Sequence, residues 1–145
     1  MEVKIQYLGG HKFLAASRGH VIVSDQPFDN GGSDSGMTPA ELFLASLGAY
    51  AGYYASEYLR ARGLADADLE IQASGCKGEH PAQFTSLKIE VSASYLNERH
   101  QKGIHRAVES CLIHKTLLHA PSVGVEVHSS AIPLRPWSEV LLATV

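Results

Sequence analysis

One long apolar segment near the middle of the chain sets the strongest limit on how the sequence can fold. It reads TPAELFLASLGAYAGYYASEYLRARG, from Thr38 to Gly63. Thr38 precedes Pro39 and Glu41, which is the pattern of a capping box with a favourable first-turn proline, and Gly63 is a typical stop signal. The segment therefore predicts a helix over residues 39–62, about 36 Å long at ~1.5 Å per residue.

Small residues follow one side of this predicted helix, at Ala45, Gly48, Ala49, Gly52 and Ala55. Such a stripe allows another backbone to approach closely. Apolar and small residues also surround most of the helix before Ser56, so we expect it to be buried on nearly all sides. One small domain rarely has enough chain to cover so long a helix, whereas an intimate homodimer would cover it.

The composition of the chain limits its partners and its location. The 145 residues contain no linker rich in proline or serine, which predicts a single domain over residues 1–145. The formal net charge is −3, without a cluster of lysine and arginine, and this argues against nucleic acid or a membrane as partner. Two cysteines, Cys76 and Cys111, are too few for a disulfide scaffold and suit a reducing cytoplasm. The sequence thus predicts a cytoplasmic protein.

Short strand-like runs precede the predicted helix. Val3–Tyr7, Lys12–Ser17 and Val21–Ser24 are separated by turns that contain glycine, which predicts an antiparallel meander. The segment 25–37 is rich in Asp, Gly and Ser and has no periodicity, so we expect a mobile surface loop there.

After the helix, the pattern predicts two strands, a second helix and a last strand. Leu69–Ala73 and Phe84–Tyr95 alternate as strands do. Asn97 is a suitable N-cap for the second helix, whose apolar spacing places Cys111 on the buried face. Gly124–His128 predicts the last strand. The order βββ-α-ββ-α-β is typical of an α+β fold, in which helices pack against antiparallel sheet.

Eight histidines raise the question of a metal site, but their spacing argues against one. His100 and His105 are five residues apart, as are His114 and His119, and on a helix this spacing turns the two side chains about 140° away from each other. We therefore expect neither a metal nor another cofactor.

The two thiols are the remaining candidates for chemistry. Thiolate chemistry needs a cysteine that is partly accessible and in an electropositive place. Cys76 lies close to a predicted turn, and Cys111 lies on the inner face of a predicted helix, where a lone cysteine usually behaves as a small hydrophobic residue. Spacing alone leaves open whether either cysteine reacts.

Two motifs together resemble the OsmC/Ohr superfamily of osmotically inducible and organic hydroperoxide resistance proteins. They are SGMTPAELFLASLGAY, which ends at position 50, and ESCLIHKTLLHAP, about 60 residues later. The resemblance covers nearly the whole chain. It implies an OsmC-like fold and an intertwined homodimer, in which antiparallel sheets surround two central helices and the active site lies at the subunit interface.

The resemblance also implies roles for individual residues. In the family, a reactive cysteine lies eleven residues beyond the proline at the helix start, and here that position is Tyr50. The second family cysteine falls on Cys111. A family arginine and a helix-start glutamate hold the thiolate and the peroxide, and Arg18 matches the arginine. Where the peroxidases have Pro-Glu this chain has Pro39-Ala40, although Glu41 matches the second acidic position of some members. Glu41 is also explained by the capping box alone.

The family mechanism requires a first reactive cysteine, which this chain lacks. The first thiolate reduces the peroxide and becomes a sulfenic acid, which forms a disulfide with the second cysteine and is then reduced by an external dithiol. Tyr50 cannot replace the first cysteine, because a phenol has an unperturbed pKa of about 10 and lacks the two-electron chemistry of sulfur. The two-cysteine cycle is therefore broken, unless Cys76 lies near Cys111.

Three hypotheses follow from this substitution. In the main hypothesis, the homodimer binds a small apolar molecule, with Tyr50, Tyr54 and Glu41 at the site and Arg18 as a polar anchor. In the alternative, Cys111 alone reduces organic hydroperoxides and an external thiol regenerates it, with Arg18 as its electrostatic partner. In the third hypothesis, the dimer has a structural or interaction role and no pocket chemistry remains.

Overall fold

The structure is a computed structural model that describes residues 1–64 and 68–129. The described strands pair antiparallel in two sheets, and the helices are separate from them in the chain, so the fold is α+β as the sequence predicts. The elements in chain order are β1 (Lys4–Gly9), β2 (Lys12–Ser17), β3 (His20–Ser24), a 3₁₀ turn (Phe28–Asn30), α1 (Pro39–Arg60), β4 (Leu69–Glu79), β5 (Ala82–Ala93), α2 (Glu98–Glu109) and α3 (Leu112–Leu118).

Two compact units divide the chain, one formed by Met1–Leu42 with the chain from Val123 onward, the other by Phe43–Ser122. In the first unit, β1, β2 and β3 form a sheet in that order. Ile5 pairs with Ala15 on β2, and Ala15 pairs in turn with Ile22 on β3. The predicted antiparallel meander is therefore confirmed.

The loop after β3 is organised by one buried carboxylate, which the prediction of a mobile loop did not anticipate. Asp25 is 1% exposed. Its Oδ2 accepts hydrogen bonds from the Ser33 N–H at 3.1 Å and from the N–H and the hydroxyl of Ser35 at 3.1 and 2.7 Å. The Gln26 N–H donates to Oδ1 at 2.8 Å. Burial by itself raises the pKa of Asp25, but the four hydrogen bonds outweigh it and bring the pKa down from 3.8 to about 2.

This carboxylate gives the first unit a defined sensitivity to acid. Because the pKa of Asp25 is lower in the folded chain, its stabilising effect is complete above about pH 4 and is lost as the pH falls through about 2. We expect Asp25→Asn to lower the urea midpoint at pH 7 and to flatten its dependence on pH between about 4 and 2. Asp29→Asn, at an exposed position in the same loop, is the matched control and should keep the wild-type profile. A wild-type pH profile in Asp25→Asn would contradict the assignment.

Helix α1 begins with the capping box that the sequence predicts. The N–H and the hydroxyl of Thr38 donate to Glu41 Oε2 at 2.7 and 2.9 Å, and the Glu41 N–H donates to Thr38 Oγ1 at 3.2 Å. The helix ends at Arg60, slightly before the predicted end, and Gly63 follows with a φ of +70°. Within residues 1–64 and 68–129, none of the helices is both long and apolar enough to cross a membrane.

The core of the second unit forms where α1 packs against α2 and the β4–β5 hairpin. Partly buried side chains of β4 and β5, including Ile71 and Ile89, cover it from the sheet side. Its buried residues come from successive turns of the two helices: Ala51, Ala55, Leu59, Ile104 and Val108.

Part of the small-residue stripe on α1 meets a strand. A Cβ atom placed on Gly52 would lie 3.2 Å from Ile71 Cγ1, and one on Gly48 would lie 3.4 Å from Ala73 Cβ. Gly52 therefore lets α1 approach β4 closely, whereas a Cβ atom on Gly48 would make an ordinary contact. Ala49, another member of the stripe, is exposed. The second central helix of a homodimer remains a prediction.

The β4–β5 hairpin is longer than the sequence pattern predicts. The strands pair from Leu69 with Ala93 down to Glu79 with Ala82. The segment GCKGEHPAQ therefore contributes residues to both strands, with a register shift at Cys76. Glycine, lysine and proline in this segment concealed its strand character, because these residues are depleted in strands.

Helix α2 begins as the sequence predicts, because the Asn97 side chain accepts a hydrogen bond from the His100 N–H at 3.0 Å. Two other expectations for this end of the fold are wrong. Helix α2 ends at Glu109, so Cys111 is buried but lies at the N-cap of α3 and not within α2. The predicted strand Gly124–His128 is not formed, and residues 121–129 have no regular structure. A strand needs a neighbour to bond its backbone, and none of the described strands pairs with this segment.

Candidate ligand-binding site

A cavity of about 770 Å³ lies within the second unit. A volume of this size is ordinary for pockets that hold small organic molecules, roughly 300–1,000 Å³. Most of its wall is aliphatic and comes from α1, β5, α2 and α3, with Leu47, Ile89, Val91, Ile104, Val108 and Leu118 among the lining residues.

The local structure explains why these side chains converge. Ile89 and Val91 are two residues apart on β5 and therefore point to the same face of the hairpin. Ile104 and Val108 are four residues apart on α2 and share one face of the helix. The short helix α3 adds Leu118, which is 66% exposed. The cavity is thus formed by ordinary amphipathic elements, and its apolar positions alone do not distinguish it in the sequence from core packing.

Polar side chains line the cavity along α2 and at α3. Gln101, His105 and Glu109 are spaced four residues apart on α2, so they lie on one side of the helix. His105 Nδ1 lies 3.3 Å from Glu109 Oε2, and His114 of α3 also lines the cavity. Across residues 1–64 and 68–129, no three His, Cys, Asp or Glu side chains are arranged to hold a metal ion.

Cys111 lies in the break between α2 and α3 and is sealed from solvent. It is 1% exposed, and its sulfur is a free thiol. Its N–H donates to the Val108 carbonyl at 2.9 Å, and its carbonyl accepts from the Lys115 N–H at 3.0 Å. Cys76 is also a free thiol but is exposed on β4. The two cysteines therefore have opposite accessibilities, and no disulfide joins them.

The tyrosines of α1 lie apart from the lining of the cavity. Tyr50 and Tyr54 are half-buried, and the Tyr54 ring makes an edge-on contact with that of Tyr53 at 5.4 Å between centroids. Neither Tyr50 nor Tyr54 is among the described residues that line the cavity, although Leu47 lies one turn before Tyr50. Their roles in binding remain predictions.

Arg18 and Glu41 belong to the first unit. Arg18 is exposed in the two-residue turn between β2 and β3, with a φ of +51°, and Gly19 follows at +78°. A left-handed backbone costs a residue with a Cβ roughly 1 kcal/mol, so the turn alone does not favour arginine at this position. Glu41 is bound within the capping box. The catalytic role of Arg18 and the binding role of Glu41 remain predictions.

The segment that carries this site matches a known protein family. The family model described as "OsmC-like protein" matches residues 32–126, which include α1, the β4–β5 hairpin, α2 and α3. The chain belongs to the OsmC-like family. No curated protein matches the chain closely enough to count as a relative.

Solved structures of related proteins share the OsmC-like fold. A candidate osmotic-stress-induced and detoxification response protein from Psychrobacter arcticus 273-4 is 20% identical, with 79% of this chain and 85% of that chain covered and a TM-score of 0.69. OhrB of Bacillus subtilis, an organic hydroperoxide resistance protein, is 21% identical, with 80% and 90% covered and a TM-score of 0.56. A candidate organic hydroperoxide resistance protein from Vibrio cholerae, with captopril bound in one of its active sites, is 15% identical, with 81% and 84% covered and a TM-score of 0.57.

Proposed function

We propose that this OsmC-like protein binds a small apolar molecule and does not carry out two-cysteine hydroperoxide reduction. Its family includes proteins of hydroperoxide resistance, such as OhrB of Bacillus subtilis. The observation that carries the proposal is the aliphatic cavity of about 770 Å³ within residues 43–122. The resemblance places Tyr50 at the position of the family's first cysteine, and this supports the proposal because a phenol lacks the peroxide chemistry of a thiolate.

The accessibility of the thiols also supports binding over catalysis. A peroxide must reach a sulfur atom for that sulfur to attack it. Cys111 is 1% exposed, so its sulfur is reached only if α2 or α3 moves. Cys76 is accessible, but it lies on a strand outside the family's motifs. The one-cysteine peroxidase through Cys111 is therefore the weaker alternative.

Apolar burial supplies the energy for binding. Apolar surface removed from water contributes roughly 25 cal/mol per Å², so a small aliphatic molecule gains several kcal/mol against walls of this kind. The related protein from Vibrio cholerae holds captopril in one of its active sites, which supports the idea that this fold accommodates small organic molecules. An organic hydroperoxide is a second occupant of the same chemical character.

The proposal includes a homodimer, formed by single-domain chains in the cytoplasm. The β1–β3 sheet carries apolar side chains at Ile5, Tyr7 and Ile22, which lie on one face because Ile5 and Ile22 both pair with Ala15. All three are exposed in the single chain. Contiguous exposed apolar surface of this kind is typical of interaction sites, and a second copy of the chain would cover it.

A charge placed in the cavity wall tests the binding function. Leu118 is 66% exposed, so Leu118→Glu should leave the fold intact while it replaces an apolar wall with a carboxylate. We expect affinity for the neutral fluorescent probe N-phenyl-1-naphthylamine to fall about tenfold, since a lost leucine contact is worth on the order of 1.5 kcal/mol. The measurement is a fluorescence titration. Leu112→Glu is the matched control, because Leu112 is 53% exposed on the same helix and does not line the cavity.

Two results would contradict the binding function. Equal affinities in wild type, Leu118→Glu and Leu112→Glu would mean that the probe does not occupy this cavity. Dithiol-dependent loss of an organic hydroperoxide that is abolished in Cys111→Ser would instead establish the one-cysteine peroxidase. In that case, α2 and α3 must open often enough to expose the sulfur.

A further inference from the structure

We propose that the cavity selects an aliphatic molecule with a protonated amine at one end. This inference rests on the proposed binding function and adds the class of ligand. It follows from two features of the described lining residues, namely the absence of Phe, Tyr and Trp and the sign of the single formal charge among them.

The walls favour a saturated chain. The described lining residues include leucine, isoleucine, valine and alanine but no phenylalanine, tyrosine or tryptophan. Flat aromatic ligands gain from stacking against the large rings of Phe, Tyr and Trp, and the only rings in the described walls are the imidazoles of His105 and His114. A flexible alkyl chain can instead follow the irregular surface of branched side chains and bury its methylene groups, each worth about 0.8 kcal/mol when fully buried.

The polar end of the cavity favours a cation. Glu109 is the only Asp, Glu, Lys or Arg among the described lining residues. Its neighbour His105, with Nδ1 3.3 Å from Glu109 Oε2, compensates the carboxylate only when the imidazole is protonated. An ammonium group at this end can donate to the Glu109 carboxylate. A ligand carboxylate placed at the same end would be repelled by Glu109.

The cations nearest along α2 do not reverse this preference. Lys102 forms an ion pair with Glu98, with Nζ 2.5 Å from Oε1, and the Arg106 Nε donates to the Lys102 carbonyl at 3.3 Å. Neither Lys102 nor Arg106 is among the described residues that line the cavity, although both border an adjacent groove together with Gln101 and His105. Glu109 therefore supplies the only formal charge on the described wall of the cavity itself.

The test compares three ligands that share one alkyl chain and differ in charge: decylamine, decanol and decanoate. The assay measures displacement of N-phenyl-1-naphthylamine from the full-length protein at pH 8, with each alkyl ligand below its critical micelle concentration. We expect decylamine to bind about twofold to fivefold more tightly than decanol, as partly exposed charge pairs allow, and decanoate to bind most weakly. Glu109→Gln should abolish the advantage of decylamine and leave decanol unchanged. Glu98→Gln, on the same helix but outside the lining, should keep the wild-type order.

Each other outcome overturns the inference in a distinguishable way. If decanoate binds most tightly, Arg106 or Lys102 binds the charged end of the ligand. If the three ligands bind with equal affinity, the protein does not distinguish the charge of the ligand. Both results leave apolar binding in place. If none of the three ligands binds and Leu118→Glu behaves as wild type does, the binding function itself fails. Loss of probe binding as protein concentration rises would show that a second copy of the chain fills the cavity.

Discussion

Tyr50→Cys is expected to raise the rate of organic hydroperoxide reduction by on the order of a hundredfold or more over wild type, with an external dithiol as reductant. The physical reason is that a thiolate attacks the peroxide oxygen and accepts the resulting sulfenic oxidation state, whereas a phenol does neither. Tyr50 is half-buried on α1, so the smaller cysteine fits without overpacking. The measurement is the dithiol-dependent loss of cumene hydroperoxide under steady-state conditions.

The control for this gain is Tyr50→Ser, which makes the same change in side-chain size without a reactive sulfur. We expect no activity above the dithiol background in Tyr50→Ser. The double variant Tyr50→Cys/Cys111→Ser separates two routes for resolving the sulfenic acid. Loss of turnover in the double variant would show that Cys111 forms the disulfide, and retained turnover would show that the external thiol acts directly.

The opposite result is equally informative. A Tyr50→Cys protein that folds normally, gains no activity and forms no disulfide with Cys111 would contradict the view that only the nucleophile is missing. The burial of Cys111 at the N-cap of α3 supplies the physical cause for such an outcome. A resolving cysteine must move toward its partner, and the thiol here is held inside packed helices.

Local hydrogen bonds account for the parts of the fold that the sequence predicts well. The capping box of Thr38 and Glu41 and the Asn97 cap of α2 each involve residues three apart in the chain, so a short motif contains all of their partners. The β1–β3 meander is also predicted from local sequence, because short glycine turns join strands that are consecutive in the chain and these strands pair with each other. The prediction of an OsmC-like fold combined these elements with two family motifs and is confirmed.

Contacts between distant residues account for what the sequence did not predict. The Asp25 carboxylate is recognised by Ser33 and Ser35, and nothing in an Asp-rich and Ser-rich segment distinguishes one anchoring carboxylate from solvated ones. The predicted strand Gly124–His128 has the right alternation, but a strand forms only when another backbone pairs with it.

The cavity was missed for the same reason. Its lining comes from four elements, and each lining residue alone is an ordinary apolar or surface position. The helical spacing of Gln101, His105 and Glu109 is visible in the sequence. Whether this side of α2 lines a cavity together with β5 depends on how the elements pack. The sequence drew attention to the tyrosines of α1, because aromatic side chains are conspicuous, whereas the cavity is aliphatic.

Gly103→Ala is expected to lower the free energy of unfolding, although it adds only one methyl group. Gly103 lies inside α2, and a Cβ atom there would overlap the phenol of Tyr58 on α1. Tyr58 cannot turn aside freely, because the Arg62 guanidinium lies 3.6 Å from its ring centroid and its hydroxyl lies 3.3 Å from His100 Nδ1. Overpacking of this kind costs about 1–3 kcal/mol, which exceeds the gain of roughly 1 kcal/mol from replacing a helical glycine. Urea unfolding followed by circular dichroism measures the loss.

Gly48→Ala provides the matched control within α1. A Cβ at Gly48 would meet Ala73 Cβ at 3.4 Å, an ordinary contact, so the helix propensity of alanine should dominate and raise the free energy of unfolding by up to about 1 kcal/mol. A double-mutant cycle then identifies the cause of the loss at Gly103. In a Tyr58→Ala background, Gly103→Ala should become neutral or stabilising, because the overlapping phenol is gone. If Gly103→Ala is equally destabilising with and without the Tyr58 ring, close packing of α1 on α2 at this point is not what requires glycine.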